Sequence, residues 1–211
     1  MIVQKAFKYR FFPTEEQASQ LAMTFGCARY VYNQALAYRT AAWQQEKQSV
    51  GYNQTAAKLT EWKKEPERAF LYEVSSVVLQ QSLCNLDTAF TNFFQKRANY
   101  PRFKAKHGYQ SVRYATNAFY REGQITLAKQ SAPLALVWSR PLPADARLVN
   151  LIVSKYQSER YFVSILVETD IKPLEKVEAE VGIDVGIKTL ARTVTDRDSR
   201  IHALCSDGRG N

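Results

Sequence analysis

Val181-Gly-Ile-Asp-Val-Gly-Ile-Lys-Thr-Leu190 is an apolar, β-branched run broken by one carboxylate, Asp184, with a glycine two places to either side. Such a run reads as a strand, and a strand of this composition is ordinarily buried. An ionised carboxylate inside it needs a partner, because desolvating a charge alone costs several kcal/mol. A bound cation is one answer. A position at the strand end, capping a neighbour, is the other. Gly182 and Gly186 leave room for another backbone or a ligand to approach, and Lys188 adds a counter-charge.

Working outward from this run, a linker with Pro173, Glu175, Glu178 and Glu180 precedes it, and a hairpin follows. That hairpin joins Leu190–Thr195 to Arg200–Cys205 through a turn at Asp196–Ser199. Residues 111–170 read as β, with strands at Ser111–Thr116, Gln124–Leu127, Leu134–Trp138, Val149–Val153 and Tyr161–Val167. The chain opens on a further alternating segment, Val3–Phe12, with Lys5, Phe7, Tyr9 and Phe11 on one face and Gln4, Lys8, Arg10 and Phe12 on the other. These strands together are expected to close into a small barrel of the OB-like kind.

Helices are expected between the first strand and the rest. Thr14 stands three residues ahead of Gln17, the spacing of a capping box, and Glu15 and Glu16 fall in the first turn. The helix so started carries Leu21, Phe25, Ala28, Tyr32 and Leu36 at three- and four-residue steps and decays toward Gln48. After Gly51 a shorter helix with Leu59 and Trp62 follows, capped by Asn53 and closed by Lys63, Lys64 and Pro66. A third helix, capped by Ser75 or Ser76, places Leu79, Leu83, Leu86, Phe90 and Phe93 in one stripe and leaves Gln80, Gln81, Asn85 and Asn92 outside. Three helices with short breaks make a bundle.

The charge balance points to a polyanion. Lys and Arg number 29 against 20 Asp and Glu in 211 residues, a net charge of +9. Nucleic acid is the leading partner class. The amino terminus has no apolar signal core and no uncharged stretch approaches the roughly 18 residues of a bilayer span, so no membrane association and a cytoplasmic, nucleoid-associated location are expected. Cys27, Cys84 and Cys205 are odd in number and far apart, which fits neither a disulfide framework nor a zinc knuckle. Between the bundle and the β region, Lys96-Arg-Ala-Asn-Tyr-Pro-Arg-Phe-Lys-Ala-Lys-His-Gly108 mixes cations with Tyr100 and Phe103. Cations neutralise phosphate and rings stack on bases, although such a run also serves as an ordinary solvated loop.

The order strand, helical bundle, returning barrel, then G-I-D-V-G-I-K resembles the TnpB (OrfB) family encoded by insertion sequences, relatives of miniature type V CRISPR effectors. The resemblance rests on Tyr9-Arg-Phe-Phe-Pro-Thr14, Ala28-Arg-Tyr-Val-Tyr-Asn33, Leu79-Gln-Gln-Ser-Leu83, Asn85-Leu-Asp-Thr-Ala-Phe90, Tyr100-Pro-Arg-Phe-Lys104 and Val181–Lys188. It implies an α+β fold: a discontinuous wedge barrel, OB-like, with an inserted helical bundle, then the first strands of an RNase H-like (RuvC) domain. The corresponding boundaries are 1–13 for the first barrel strand, 14–110 for a helix-turn-helix-like recognition lobe, 111–172 for the barrel and 178–211 for the start of RuvC.

The family consists of RNA-guided DNA endonucleases, so guide RNA and double-stranded target DNA are the implied partners, with base pairing reading most of the target. By position, Tyr52, Gln80, Thr116 and Asn117 match places near the target-adjacent motif. Arg10, Arg97, Arg102, Lys104, Lys106 and Arg113 are the candidate phosphate contacts. Asp184 matches the first of three RuvC acids that hold two Mg²⁺ ions. A lone carboxylate leaves a divalent ion mostly hydrated. The second and third acids and the C-x-x-C pairs of the family's zinc ribbon have no counterpart here, since Asp196, Asp198 and Asp207 come too early. The expectation is therefore a truncated nucleic-acid-binding chain that does not cleave by itself, the alternatives being a nuclease-dead RNA- or DNA-binding regulator or half of a nuclease completed by a second polypeptide.

Overall fold

The structure, a computed structural model, describes residues 1–114 and 124–170 with their side chains, and the backbone of 118–121, 181–184, 191–195 and 198–204. The chain divides into two compact units, Met1–Ile171 and Lys172–Asn211.

In the first unit, β1 (Ile2–Phe12) buries Phe7, Tyr9 and Phe11 and exposes the residues between them, the period of two that its sequence carries. Helix α1 (Glu15–Glu46) starts on the expected capping box: the Gln17 amide donates to Thr14 Oγ1 at 3.2 Å and the Thr14 amide to Gln17 Oε1 at 3.1 Å. Gln17 does more than cap, because its buried Nε2 also donates to the carbonyls of Ala132 and Pro133 at 3.1 and 3.2 Å. The helix start is thereby tied to a loop more than a hundred residues away.

Helix α2 (Tyr52–Lys64) begins one residue before Asn53, with Gly51 at the cap position. Asn53 does not cap it; Gln54 Oε1 takes the Gly51 amide at 2.7 Å instead. A 3-10 turn, Pro66–Tyr72, follows where the sequence reading stopped at Pro66, and it drives Leu71 into the core. Helix α3 (Ser76–Phe94) has Ser75 at its cap position and buries Leu79, Leu83, Leu86 and Phe90 as its stripe requires. Phe93 is only half-buried and Gln80 and Asn85 are exposed.

The remaining strands are β2 (Gln110–Tyr114), β3 (Ala118–Arg121), β4 (Gln124–Leu127), β5 (Ala135–Val137), β6 (Arg147–Lys155) and β7 (Tyr161–Asp170). β3 was not legible, and β5 is shorter than expected. Five strands form one antiparallel sheet in the order β2-β6-β7-β1-β5, and β3 and β4 form a hairpin.

Two apolar clusters stabilise the unit. One lies on the sheet, where Phe7, Tyr9, Phe11, Leu151, Val163 and Ile165 meet Leu21, Phe25 and Ala28 of α1. The other joins the helices through Val31, Ala35 and Leu36 with Leu59, Trp62, Leu79 and Leu83. Each fully buried aliphatic side chain contributes roughly 1.5–3 kcal/mol. Ser82 Oγ donates to the Ala28 carbonyl at 2.6 Å, and Arg39 pairs with Asp87 at 3.0 Å while lying 4.0 Å from the Phe90 ring.

The second unit contains an antiparallel sheet of β8 (Val181–Asp184), β9 (Ala191–Thr195) and β10 (Asp198–Leu204), in the order β10-β9-β8. β10 starts at Asp198, inside the segment read as a turn. The expectations for the 173–180 linker, for Val185–Leu190 and for Thr116 and Asn117 lie outside the described residues.

Candidate nucleic-acid interface

The basic loop after α3 is built on an anchored base. Lys96 adopts a left-handed conformation, φ 58°, and the Lys96 and Arg97 amides donate back to Phe93 and Asn92 at 2.9 and 2.8 Å. These bonds satisfy the last carbonyls of the helix and turn the chain sharply away. Tyr100 then packs edge-on against Phe90 and Phe93, with centroids at 5.5 and 5.3 Å, and its hydroxyl meets Thr40 Oγ1 at 2.8 Å. Four residues on, Asn33 of α1 clamps the loop with its side-chain amide: Oδ1 accepts from the Lys104 amide at 2.8 Å and Nδ2 donates to the Lys104 carbonyl at 3.1 Å.

The Lys104 ammonium sits 4.3 Å from the Tyr32 ring. Although the residue as a whole is exposed, the burial around its charge lowers its pKa from the ordinary lysine value. Arg97, Arg102 and Lys106 remain exposed around it.

Beside the loop lies a cleft of about 510 Å³, lined by Phe25 and Arg29 of α1, by Lys106, His107 and Gln110, and by Lys155–Gln157 at the β6–β7 turn. Arg29 Nη1 donates to Gln110 Oε1 at 3.3 Å, a neutral partner, and no ion pair among the described residues involves Arg29. Lys155, by contrast, pairs with Glu159 at 2.5 Å, and that hydrogen bond raises its pKa. Gln157 Nε2 fixes the other wall through the His107 carbonyl at 3.1 Å. Arg29 and Gln110 were not picked out as site residues. Three segments distant in sequence form this cleft, and no local pattern announces it.

The expected site residues fall into separate groups. Arg97, Arg102, Lys104 and Lys106 share the loop. Arg10 and Arg113 are exposed on β1 and β2, on the sheet face turned away from the core, with β7 and β6 between them. Tyr52 opens α2 and meets Cys84 of α3; burial, then the neighbouring thiol, raises its pKa. Gln80 lies one turn before Cys84 on the same side of α3.

Asp184 ends β8 opposite Arg192, whereas Asp198 pairs with Thr195, itself opposite Val181. The register therefore sets these two acids at opposite ends of the small sheet. Among the described residues no group of three His, Cys, Asp or Glu side chains could hold a metal ion. A single carboxylate does not by itself supply the oxygen-rich shell that Mg²⁺ requires. No helix among the described residues is long and apolar enough to cross a membrane.

The OrfB IS605 helix-turn-helix domain model matches residues 1–48, which here form one strand and one long helix. A "Putative RNA-guided DNA endonuclease" of Streptomyces pristinaespiralis is 53% identical over 195 residues, covering 92% of this chain and 48% of that protein. A "Putative RNA-guided DNA endonuclease InsQ" of Escherichia coli (strain K12) is 31% identical over 198 residues, covering 91% of this chain and 47% of that protein. The chain thus spans about half the length of these curated relatives. Among solved structures, a Cas12f1-sgRNA-target DNA complex matches at 11% identity and a TM-score of 0.39, over 91% of this chain and 50% of that one. With the similarity to these relatives running over nearly all of its length, the chain belongs to the TnpB (OrfB) family.

Proposed function

We propose that this chain is the nucleic-acid-binding part of an RNA-guided DNA endonuclease, holding guide RNA and duplex target DNA, and that it does not cut by itself. The observation that carries the reading is the clamped basic loop. Asn33, Tyr32 and the Tyr100 anchor hold it, so Arg97, Arg102 and Lys106 are displayed, Lys106 on the cleft that also carries Arg29, without the entropy cost of ordering a free loop on binding.

In this reading Tyr52 and Gln80, with Thr116 and Asn117, face the target-adjacent motif, where an amide side chain bonds an adenine edge. Arg10 and Arg113 contact phosphates. The sheet and hairpin form a wedge barrel: the Leu134 amide donates to the Ile125 carbonyl at 2.8 Å, carrying the β5 side of the sheet toward β4. The β8-β9-β10 meander is the beginning of the RuvC fold. Asp184 becomes one Mg²⁺ ligand once further acids, and with them the zinc ribbon, are supplied from a longer or second polypeptide.

Binding across a salt series tests the proposal. Each cation released from a single-strand phosphate contact contributes about 0.7 to the slope of log affinity against log salt, so R97A/R102A/K106A lowers that slope by about 2. A slope unchanged by the triple variant refutes the loop as the interface. Incubation of the chain with guide RNA, target DNA and Mg²⁺ is expected to leave the DNA intact, and robust cleavage refutes that half of the proposal.

A further inference from the structure

The sheet face opposite the core carries a row of rings that the reading above does not use. Strand register sets Ser111, Arg113, Phe162, Ser164, Lys8 and Arg10 on this face, since Phe7, Tyr9, Val163 and Ile165 occupy the other. Tyr109 and Tyr156 extend it beyond the ends of β2 and β6.

Three of the rings form a ladder. Phe162 and Tyr156 lie with centroids 5.2 Å apart at 73°, and Tyr156 and Tyr109 lie 5.2 Å apart at 72°. Lys8 props it: its Nζ sits 4.8 Å from the Phe162 ring and 4.9 Å from the Tyr156 ring, and donates to the Tyr156 hydroxyl at 2.7 Å. Exposure rises outward along the ladder, from a half-buried Phe162 to 38% at Tyr156 and 59% at Tyr109. A ring held from below and open at its tip offers a preformed apolar face with a polar edge to a flat partner.

Charge identifies what covers it. None of the ion pairs among the described residues involves Lys8, Arg10 or Arg113, so this face is cationic as well as aromatic. Lys8 has three donors and spends one on Tyr156, leaving two for an anion. A flat partner with a negative backbone meets both demands. A base offers its π-face to a protein ring only when unpaired, which excludes regular duplex. The hydroxyls of Ser111 and Ser164 on the same face add partners for a ribose 2′-OH.

We propose that Tyr109 and Tyr156, with Lys8, form a stacking subsite for an unpaired RNA nucleotide, the base lying on Tyr109 and its phosphate on Lys8. The subsite rests on the nucleic-acid reading above and adjoins the basic loop, since Tyr156 shares a cleft with Lys106 and Tyr109 shares one with Lys104.

The test uses the full chain and a short single-stranded ribooligonucleotide carrying one 2-aminopurine, with the same sequence as DNA and as duplex for comparison. Base stacking on an aromatic residue makes Y109A weaken single-stranded RNA binding roughly 5- to 150-fold, with aminopurine quenching lost and the salt slope unchanged. Y109F, which keeps the ring, restores both. Single-stranded DNA binds more weakly than RNA, and duplex binding is unaffected by Y109A.

Unaltered RNA binding in Y109A, equal losses on RNA and duplex, failure of Y109F to restore, or equal affinity for single-stranded DNA each overturns the proposal. If the wild-type chain binds no nucleic acid, the nucleic-acid reading itself falls. If R97A/R102A/K106A loses binding while Y109A does not, only the stacking subsite falls.

Discussion

Replacing Asn33 by alanine removes the clamp on the basic loop without touching either apolar core. The side chain makes two hydrogen bonds to the Lys104 backbone, at 2.8 and 3.1 Å, both near solvent. A net protein hydrogen bond contributes roughly 0.5–1.5 kcal/mol, and partly exposed ones lie toward the lower end, so the pair is worth about 1–2 kcal/mol. At about 1.4 kcal/mol per factor of ten, that is a five- to thirty-fold rise in the local opening constant around Lys104. Hydrogen exchange of the amides at 102–106, followed by mass spectrometry, reads it directly, with amides of α3 as the internal reference. The Lys104 amide, which donates to Asn33, is expected to lose most protection, while the α3 core amides near Leu83 stay slow. N33A is also expected to weaken RNA binding by a similar factor, because the free loop must then be ordered at the moment of binding. Unchanged protection across 102–106, or loosening that spreads equally through α3, refutes the argument that this one side chain sets the loop.

Two further outcomes concern stability. Leu79 is fully buried in the helical core, so L79A is expected to cost about 2–5 kcal/mol, read as a lower urea midpoint with the m value retained. Asp145 accepts the Asp170 amide and the Thr169 hydroxyl, both at 2.7 Å, and these bonds, the amide first, hold its pKa below the usual carboxylate value. A depressed folded-state pKa stabilises above the unfolded value of about 3.9 and that stabilisation is lost as pH falls through the folded one. The melting temperature of the wild type should therefore exceed that of D145N near neutrality and converge on it in acid; a gap that does not change with pH refutes the assignment.

What the sequence made legible was local. The two-residue period of β1 and the Thr14–Gln17 spacing each involve neighbours a few positions apart, and both appear as read. Gly51 displaced Asn53 at the start of α2 because Gln54 reaches back to its amide, a choice set by one rotamer that no period records. The basic loop was recognisable from composition, but not its anchoring, which depends on Asn33 and Tyr32 lying a helix away in space. The same holds for the cleft at Arg29 and for the ring ladder. Tyr109 and Tyr156 are 47 residues apart and meet only through the pairing of Gln110 with Lys155.

Helix α1 takes part in both apolar clusters, giving Leu21 and Phe25 to one and Val31, Ala35 and Leu36 to the other. Its 32 residues span about 48 Å, making it a common spine rather than a connection. Removing side chains from either cluster therefore takes packing from the helix on which the other cluster also rests.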